Sequence, residues 1–457
     1  MLSLQATVSQ LQAEVVNLKE RVRELEAKLK KDSSNSSRPP SSDLPWKKQT
    51  KKKPSSGNAP GGQPGHRGHC RALLPLEQVH NIIEYAAEEC EGCGEFLSSN
   101  DAFGEPQRHQ VAELPPIEPT ITEHRAYDRR CKRCGTISKR SIPEKEIKSA
   151  FGPNVQALVG TLASGFHLSR AGLQECMEQI FGLSICVGTI QRMLEDIGCA
   201  LEAPYNEALH VLRKAPVRYF DETTWYIKNQ RGYLWAGVCK AATVFTIAAT
   251  RGRVVLHRWI GVDALANGYI VTDRYSAYAL VPMQRRGICH AHIRRDFQGM
   301  TDAGGYLGII GSAAVTQHEA LFKVLHDWKS GKISTSALNE RVEPVKTELK
   351  RLLECGVAGG SGMCANLLKH WEAMWTFLSV PEMEPTNNLA ERAVRPMVLL
   401  RKRSLGTRSA AGGVFTERAQ TIIATCRQNG RNALTYMRDA VRAFLDGQCI
   451  PKLLPTH

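Results

Sequence analysis

The sequence lacks any apolar run approaching the roughly 18 residues that a membrane-spanning helix requires. Its first residues also lack the basic-then-apolar layout of a secretory signal peptide. Mean hydropathy is −0.29, yet 42% of the 457 residues are hydrophobic, which is enough for several buried cores. We therefore expect a soluble protein of roughly two to four domains with no membrane partner.

Acidic residues are in deficit. Lysine and arginine number 60 against 45 aspartates and glutamates, which gives a net charge of +15. This balance favours a polyanionic partner such as DNA. An anionic membrane is the weaker alternative, because no basic amphipathic helix with exposed aromatic residues occurs.

Disulfide-forming patterns are scarce although the chain contains 14 cysteines. Most cysteines stand singly in apolar stretches, as Cys176, Cys186, Cys199 and Cys239 do, and are expected to be small buried hydrophobic residues. Without an export signal, this usage predicts a reducing, cytoplasmic location.

Residues 1–31 carry a heptad pattern. Leucines repeat every seven residues, with mostly valines between them: Leu4, Val8, Leu11, Val15, Leu18, Val22, Leu25 and Leu29. This pattern favours a parallel coiled coil and hence a homodimer or higher oligomer. The alternative is one amphipathic helix packed on its own domain.

Residues 32–75 are rich in Ser, Pro, Gly and Lys and predict a basic flexible linker. Lys51, Lys52 and Lys53 are candidates for neutralising DNA phosphates. A solvated charge run with no binding role is the alternative.

Residues 76–145 contain two C-x-x-C-G motifs, formed by Cys90 and Cys93 and by Cys131 and Cys134. Four thiolates at such turns predict a structural Zn²⁺ site in a zinc-ribbon-like module. The long interval between the pairs contains strand-like runs at 109–114 and 120–127. Two redox-active pairs are the alternative, although no βαβ pattern surrounds either motif.

Residues 146–212 predict a helical domain that resembles a helix-turn-helix, with helices at 171–181 and 187–197 around a turn at Gly182. The second helix would offer Gln191 and Arg192 to a DNA groove. Plain helix packing is an equally good interpretation.

From residue 213 the pattern changes to strands at 217–227, 233–240, 243–250 and 268–272. Three antiparallel strands, a helix and a strand beside the first are the layout of an RNase H-like α/β core, predicted here for 213–300 and 386–410. Residues 301–385 predict a helical insertion and 411–457 a C-terminal helical element. This layout places Asp221 and Asp273 side by side. The predicted fold is therefore a multidomain α+β protein.

The stretch 386–403 predicts a helix on which Asn387, Glu391 and Arg395 share one face. A surface ion pair of Glu391 with neighbouring arginines is the simplest interpretation. With Asp221 and Asp273 upstream, Glu391 instead completes the ligand set of a two-metal phosphoryl-transfer site. The cations expected to hold DNA are Arg392, Arg395, Arg401, Lys402 and Arg403.

Two Mg²⁺ or Mn²⁺ ions require carboxylate oxygens, so Asp221 would bridge both ions, with Asp273 on one and Glu391 on the other. The competing carboxylates are Glu222, Asp263, Glu382 and Glu384. Glu222 is disfavoured because neighbouring strand residues point to opposite faces. Cys289, His290 and His292 form only a weak metal motif, and His292 is expected near the metal ligands or the DNA.

The chain resembles transposases of the insertion sequence 66 family, which are DDE transposases. The resemblance rests on motifs in family order: Asp-Ser-Ser-Asn-Ser-Ser-Arg-Pro-Pro-Ser-Ser-Asp (32–43), Gly-Gly-Gln-Pro-Gly-His (61–66), both C-x-x-C-G motifs, Asp-Glu-Thr (221–223), Thr-Asp-Arg-Tyr-Ser-Ala-Tyr (272–278), Cys-His-Ala-His-Ile-Arg-Arg-Asp-Phe (289–297) and Asn-Asn-Leu-Ala-Glu-Arg (387–392). Two departures are Thr386, where the family commonly has Asp, and His290, where it commonly has Trp.

The resemblance implies an RNase H-like core with Asp221, Asp273 and Glu391 as its acidic triad, Mg²⁺ dependence, and action on the inverted ends of a mobile element and on target DNA. It also implies a bacterial, nucleoid-associated protein, and makes accessory proteins encoded by the element plausible partners. The expected function is a DNA transposase that cleaves and joins strands. The alternatives are an RNase H-like nuclease that cleaves without joining, and a catalytically inactive DNA-binding relative.

Overall fold

A computed structural model describes residues 71–101, 103–147 and 149–455, together with Leu18. The remainder of the predicted coiled coil (1–31), and Lys51, Lys52 and Lys53 of the predicted linker, lie outside the described residues. The described chain falls into two compact units, 71–118 and 119–455, which are presented separately. Within the described residues, no helix is long and apolar enough to cross a membrane.

The unit 71–118 contains short 3₁₀ turns at Leu76–Gln78 and Ser99–Asp101 and an isolated bridge between Glu89 and Phe96. The strand expected at 109–114 is absent from this described segment, as is the one expected at 120–127 in the other unit. Val111 is 82% exposed and Ile121 79% exposed. Apolar alternation alone does not form a strand without a partner strand and a core to cover it, so this expectation was wrong.

The unit 119–455 begins with a small hairpin, followed by five helices. These elements are β1 (Arg129–Arg130), β2 (Ile137–Ser138), α1 (Glu144–Ile147), α2 (Pro153–Gly165), α3 (Arg170–Phe181), α4 (Val187–Ala200) and α5 (Glu202–Lys214). Helix α3 ends at Gly182, whose φ of 64° is the left-handed conformation that glycine adopts readily. The predicted helix pair with a glycine turn is therefore confirmed.

A five-stranded mixed sheet follows. Its strands are β3 (Val217–Ile227), β4 (Gln230–Val238), β5 (Thr243–Ala248), β6 (Tyr269–Thr272) and β7 (Arg286–Ile288). The spatial order is β5-β4-β3-β6-β7. Strands β3, β4 and β5 are antiparallel neighbours, whereas β6 runs parallel to both β3 and β7. The four predicted strands and the place of the fourth beside the first are confirmed, and β7 is an additional strand.

Helices surround and follow the sheet. They are α6 (Arg253–Ile260), α7 (Val262–Ala266), α8 (His290–Ala303), α9 (Gly305–Lys329), α10 (Thr335–Ala358), α11 (Gly362–Lys369), α12 (Trp371–Trp375), α13 (Asn388–Ser404), α14 (Ala410–Gln428) and α15 (Ala433–Leu445). The region 301–385 is helical as expected. The predicted C-terminal helical element (411–457) consists of two helices, because Gly430 turns the chain between them with a φ of 65°.

The two faces of the sheet pack against different helices. Phe220 and Trp235 belong to a core shared with α2, α4, α5, α14 and α15. On the opposite face, Tyr219 packs with α8 to α12, and Trp225 packs with Val394 of α13. Because side chains alternate along β3, Asp221 lies on the face covered by α13.

Candidate active site

Parallel pairing of β3 with β6 places two carboxylates at the same level of the sheet. Tyr219 is in register with Val271. Two residues further along each chain lie Asp221, still within β3, and Asp273, directly after β6. An Oδ1 oxygen of Asp273 accepts the N–H of Tyr275 at 2.9 Å, which fixes the loop as it leaves the sheet.

Asn387 anchors the start of α13 beside these carboxylates. Its side chain is 1% exposed, and its Nδ2 donates to the carbonyl oxygen of Phe220 at 2.7 Å. Its backbone N–H donates to Cys289 Sγ at 3.1 Å. Glu391 follows in the first helical turn, where the helix dipole favours a negative charge. Long-range bonds from Asn387 therefore determine where Glu391 lies relative to β3.

Asp221 lies in an electrostatically unfavourable position. Burial raises the pKa of its carboxyl well above the usual range, and the charges of Glu222, Glu391 and Asp273 raise it further. No ion pair in the described part of the chain involves Asp221. A buried carboxylate among like charges is stabilised by a bound cation.

Glu222 lies on the other face of β3, as strand alternation predicted. Arg251 Nε donates to its Oε1 at 2.8 Å, and the hydroxyl of Tyr278 donates to its Oε2. Burial raises the pKa of Glu222, while these two partners oppose the increase. The hydrogen-bonding capacity of Glu222 is thus used within the fold. Glu382 and Glu384 form ion pairs with Lys240 and Lys329.

Glu391 also contacts two residues at the start of α8. Cys289 Sγ lies 3.7 Å and His292 Nδ1 lies 3.6 Å from Glu391 Oε1. Burial raises the pKa of the Cys289 thiol to about 11 and lowers the pKa of His292, which Arg295 lowers further. His290 is turned away, with its Nε2 2.7 Å from the carbonyl oxygen of Met374.

Cys289, His292 and Glu391 offer ligand atoms that all lie within 4.8 Å of one another. Asp221, Asp273 and Glu391 do not form such a compact group among the described residues. Their carboxylates interact electrostatically instead, through the effect of Glu391 and Asp273 on the pKa of Asp221. The contact between Cys289 and Glu391 was not expected from the sequence, because the two residues are 102 positions apart.

The cysteine pairs adopt the same local turn, each within its own unit. The N–H of Gly94 donates to the carbonyl of Cys90 at 2.8 Å, and that of Gly135 to Cys131 at 2.9 Å. Gly94 and Gly135 have φ values of 75° and 74°. Backbone N–H groups of Gly92 and Cys93 lower the pKa of Cys90. Such turns stabilise the thiolates that bind zinc.

A sequence profile of the family described as "Transposase IS66 family" matches residues 148–414, more than half of the chain. The chain belongs to this family. A second profile, described as the zinc-finger binding domain of transposase IS66, matches residues 87–135 and spans both cysteine pairs. A family of unknown function (DUF6444) matches residues 2–72.

Curated relatives of this IS66-family transposase include two uncharacterized proteins of Sinorhizobium fredii (strain NBRC 101917 / NGR234). The chain is 24% identical to protein y4qI over 413 residues, which cover 81% of this chain and 73% of that protein. It is 23% identical to protein y4hP over 414 residues, with the same shares covered.

The basic residues of α13 in this transposase differ in their surroundings. Arg392, Arg395, Lys402 and Arg403 are exposed. Arg401 is half-buried and donates from Nη1 to Thr223 Oγ1 at 3.1 Å and to the carbonyl of Thr224 at 2.6 Å. Arg401 therefore ties α13 to β3, while the other four present their charges to solvent.

In the helix pair of the transposase, Gln191 and Arg192 also differ. Gln191 Oε1 accepts from Arg170 Nε at 3.2 Å, and its Nε2 donates to Glu195 at 2.9 Å. Arg192 is exposed on α4. The side chain of Gln191 is therefore engaged within the fold, whereas Arg192 is available to a partner.

Proposed function

We propose that this transposase binds the ends of a mobile element and cleaves and joins DNA strands by divalent-metal-dependent phosphoryl transfer. Asp221, Asp273 and Glu391 are the proposed catalytic carboxylates. The observation that carries the proposal is the position of Asp221, half-buried near three like charges and without an ion-pair partner in the described residues. The alternative carboxylate on β3, Glu222, has Arg251 and Tyr278 as partners.

The donor set fits Mg²⁺ or Mn²⁺. Asp221 within β3 and Asp273 directly after the neighbouring parallel strand β6 lie at the same level of the sheet, and Glu391 faces β3 from α13. All three supply hard carboxylate oxygen, the donor that these ions prefer. When bound, two such ions would activate water or a 3′-hydroxyl and stabilise the leaving oxyanion. Strand order β5-β4-β3-β6-β7, with three antiparallel strands and two parallel ones, supports an RNase H-like core.

The residues around the triad have separate proposed tasks. Asn387 holds Glu391 over β3 through its bond to Phe220. The exposed cations Arg392, Arg395, Lys402 and Arg403 contact DNA phosphates. Arg192 is a further proposed phosphate contact. So are Lys51, Lys52 and Lys53, which lie outside the described residues. Structural Zn²⁺ is the proposed ligand of Cys90, Cys93, Cys131 and Cys134. Pairing of two DNA ends requires a dimer or higher oligomer, for which the heptads of residues 1–31 are the proposed contact.

The test is a cleavage and joining assay with labelled element-end DNA and Mg²⁺, comparing wild type with Glu391→Gln. We expect equal DNA binding and at least about a 10²-fold loss of cleavage in the variant. Cleavage without joining by the wild type would favour an RNase H-like nuclease. Wild-type activity in the variant would exclude Glu391 as a ligand. Binding by both proteins without cleavage, also when the element's accessory proteins are added, would indicate an inactive DNA-binding relative.

A further inference from the structure

The start of α8 and the start of α13 bring together a thiol, an imidazole and a carboxylate. Cys289 is buried at 0% exposure, whereas the side chains of His292 and Glu391 are 28% and 33% exposed. Their ligand atoms lie within 4.8 Å of one another. Sulfur and nitrogen are donors that select zinc-like cations over Mg²⁺. The cluster therefore differs in chemistry from the three catalytic carboxylates, although it shares Glu391 with them.

The distances fit a single tetrahedral ion. Zinc bonds are about 2.3 Å to sulfur and about 2.0 Å to nitrogen or oxygen. Tetrahedral angles then require a sulfur–oxygen distance of about 3.5 Å and a nitrogen–oxygen distance of about 3.3 Å. The structure has 3.7 Å between Cys289 Sγ and Glu391 Oε1 and 3.6 Å between His292 Nδ1 and Glu391 Oε1. Small side-chain adjustments would close both differences.

Three further polar atoms near the cluster suit a bound ion. His292 Nδ1 is buried without a hydrogen-bond partner among the described residues, so its lone pair is free to bind a cation. The backbone N–H of Asn387 donates to Cys289 Sγ at 3.1 Å, the type of amide contact that stabilises a metal-bound thiolate. Asn387 Oδ1 is another buried acceptor for which the described part of the chain supplies no hydrogen-bond partner.

We propose that Cys289 Sγ, His292 Nδ1 and Glu391 Oε1 bind one thiophilic divalent cation of the Zn²⁺ class, with water as the fourth ligand. Binding displaces the thiol proton of Cys289 to solvent, and the ion takes its place between sulfur and carboxylate. A consequence, which rests on the proposed function, is that this ion withdraws Glu391 Oε1 from Mg²⁺. Zinc-class cations then inhibit strand cleavage through the catalytic glutamate.

The direct test counts bound metal in the full chain. Wild type, Cys289→Ser, His292→Asn and Glu391→Gln are equilibrated in the same Zn²⁺ buffer and analysed for zinc per chain. Each variant is expected to bind one ion fewer than wild type. Substitution of Co²⁺ should add a thiolate-to-cobalt charge-transfer absorption in wild type that Cys289→Ser lacks. Zinc bound by Cys90, Cys93, Cys131 and Cys134 contributes equally to the zinc content of every protein. The differences in zinc content between wild type and the variants therefore report only the Cys289, His292 and Glu391 cluster.

Cys426→Ser is the matched control, because Cys426 is also fully buried but belongs to no cluster of metal-ligand atoms in the described residues. It should keep the wild-type zinc count. His292→Asn keeps the test decisive if Cys289→Ser fails to fold, since His292 is partly exposed. A folded His292→Asn or Glu391→Gln protein with the wild-type count would overturn the proposal. The measured quantity is the metal content of the protein. If the protein failed to cleave DNA strands, the proposed function would fail, but the test of this metal site would still be decisive.

Discussion

Asn387 Nδ2 lies 2.7 Å from the carbonyl oxygen of Phe220, so the N-terminus of α13 is bonded to β3 at the residue immediately before Asp221. Asn387 and Phe220 are separated by 167 positions in the chain. Asn387 is the N-cap of α13 without making a side-chain cap bond. Its amide is used for tertiary positioning instead, which links the place of Glu391 to that of Asp221.

Asn387→Ala should therefore weaken both stability and catalysis. Loss of this buried bond is expected to cost about 1–3 kcal/mol of unfolding free energy, measured by denaturant unfolding. A shift of Glu391 of about 1 Å is enough to lower cleavage about 10²-fold. Asn429→Ala is the control, because Asn429 also donates from Nδ2 to backbone carbonyls, of Ala241 and Thr425, away from the carboxylates. Cleavage at the wild-type rate in Asn387→Ala would contradict the positioning role.

The sheet could largely be predicted because its strands are long and apolar or are delimited by turns. Residues 217–227 were predicted with the bounds that the structure has. Strand β7 was missed because Arg286–Ile288 has only three residues, and arginine and glycine are two of them. Burial of Arg286 at 2% exposure depends on its neighbours in space, which local patterns do not contain.

The candidate site was only partly predictable. Strand order placed Asp221 beside Asp273, because parallel strands in register bring equivalent positions together. Nothing local linked Cys289 to Glu391 or Asn387 to Phe220, since these contacts depend on how α8 and α13 approach β3. Likewise, composition could not distinguish Arg401, which bonds β3, from the exposed Lys402 and Arg403 beside it.

Asp221→Asn should stabilise the metal-free protein at neutral pH. The folded-state pKa of Asp221 is raised by burial and like charges, so its ionisation opposes folding above the pKa of the unfolded chain. Unfolding free energy should fall as pH rises from the usual aspartate range towards the raised pKa, and this loss should be absent in the variant. A gain of about 1 kcal/mol would raise the melting temperature by about 1–2 °C in a unit of this size.

Mg²⁺ provides the second half of this test. Added Mg²⁺ should stabilise wild type more than Asp221→Asn, because only wild type has the full carboxylate set. Asp263→Asn serves as the control, since Asp263 is exposed. Lower stability of Asp221→Asn than of wild type in metal-free buffer at neutral pH would show that the Asp221 carboxylate is favourably placed without a metal.

Arg401→Ala and Lys402→Ala should separate a structural from a DNA-binding cation. Arg401 donates to Thr223 and Thr224, so its removal should lower unfolding free energy by about 1 kcal/mol. Lys402 is exposed, and its removal should leave stability unchanged. It should instead weaken DNA binding and reduce the salt-dependence slope by about one unit. Equal DNA affinity of Lys402→Ala and wild type at all salt concentrations would remove Lys402 from the phosphate contacts.

The two cysteine pairs should bind one zinc ion together. If all four thiolates are ligands of a single ion, Cys93→Ser and Cys134→Ser should each lose one zinc per chain in the presence of a competing chelator. The double variant should lose no more than either single variant, because the same ion is affected. Two independent ions would instead make the losses add. The control is Cys449→Ser, which removes an exposed cysteine outside both pairs and should retain the wild-type zinc content. Lowering the pH should release the zinc ion, because protonated thiols no longer bind it.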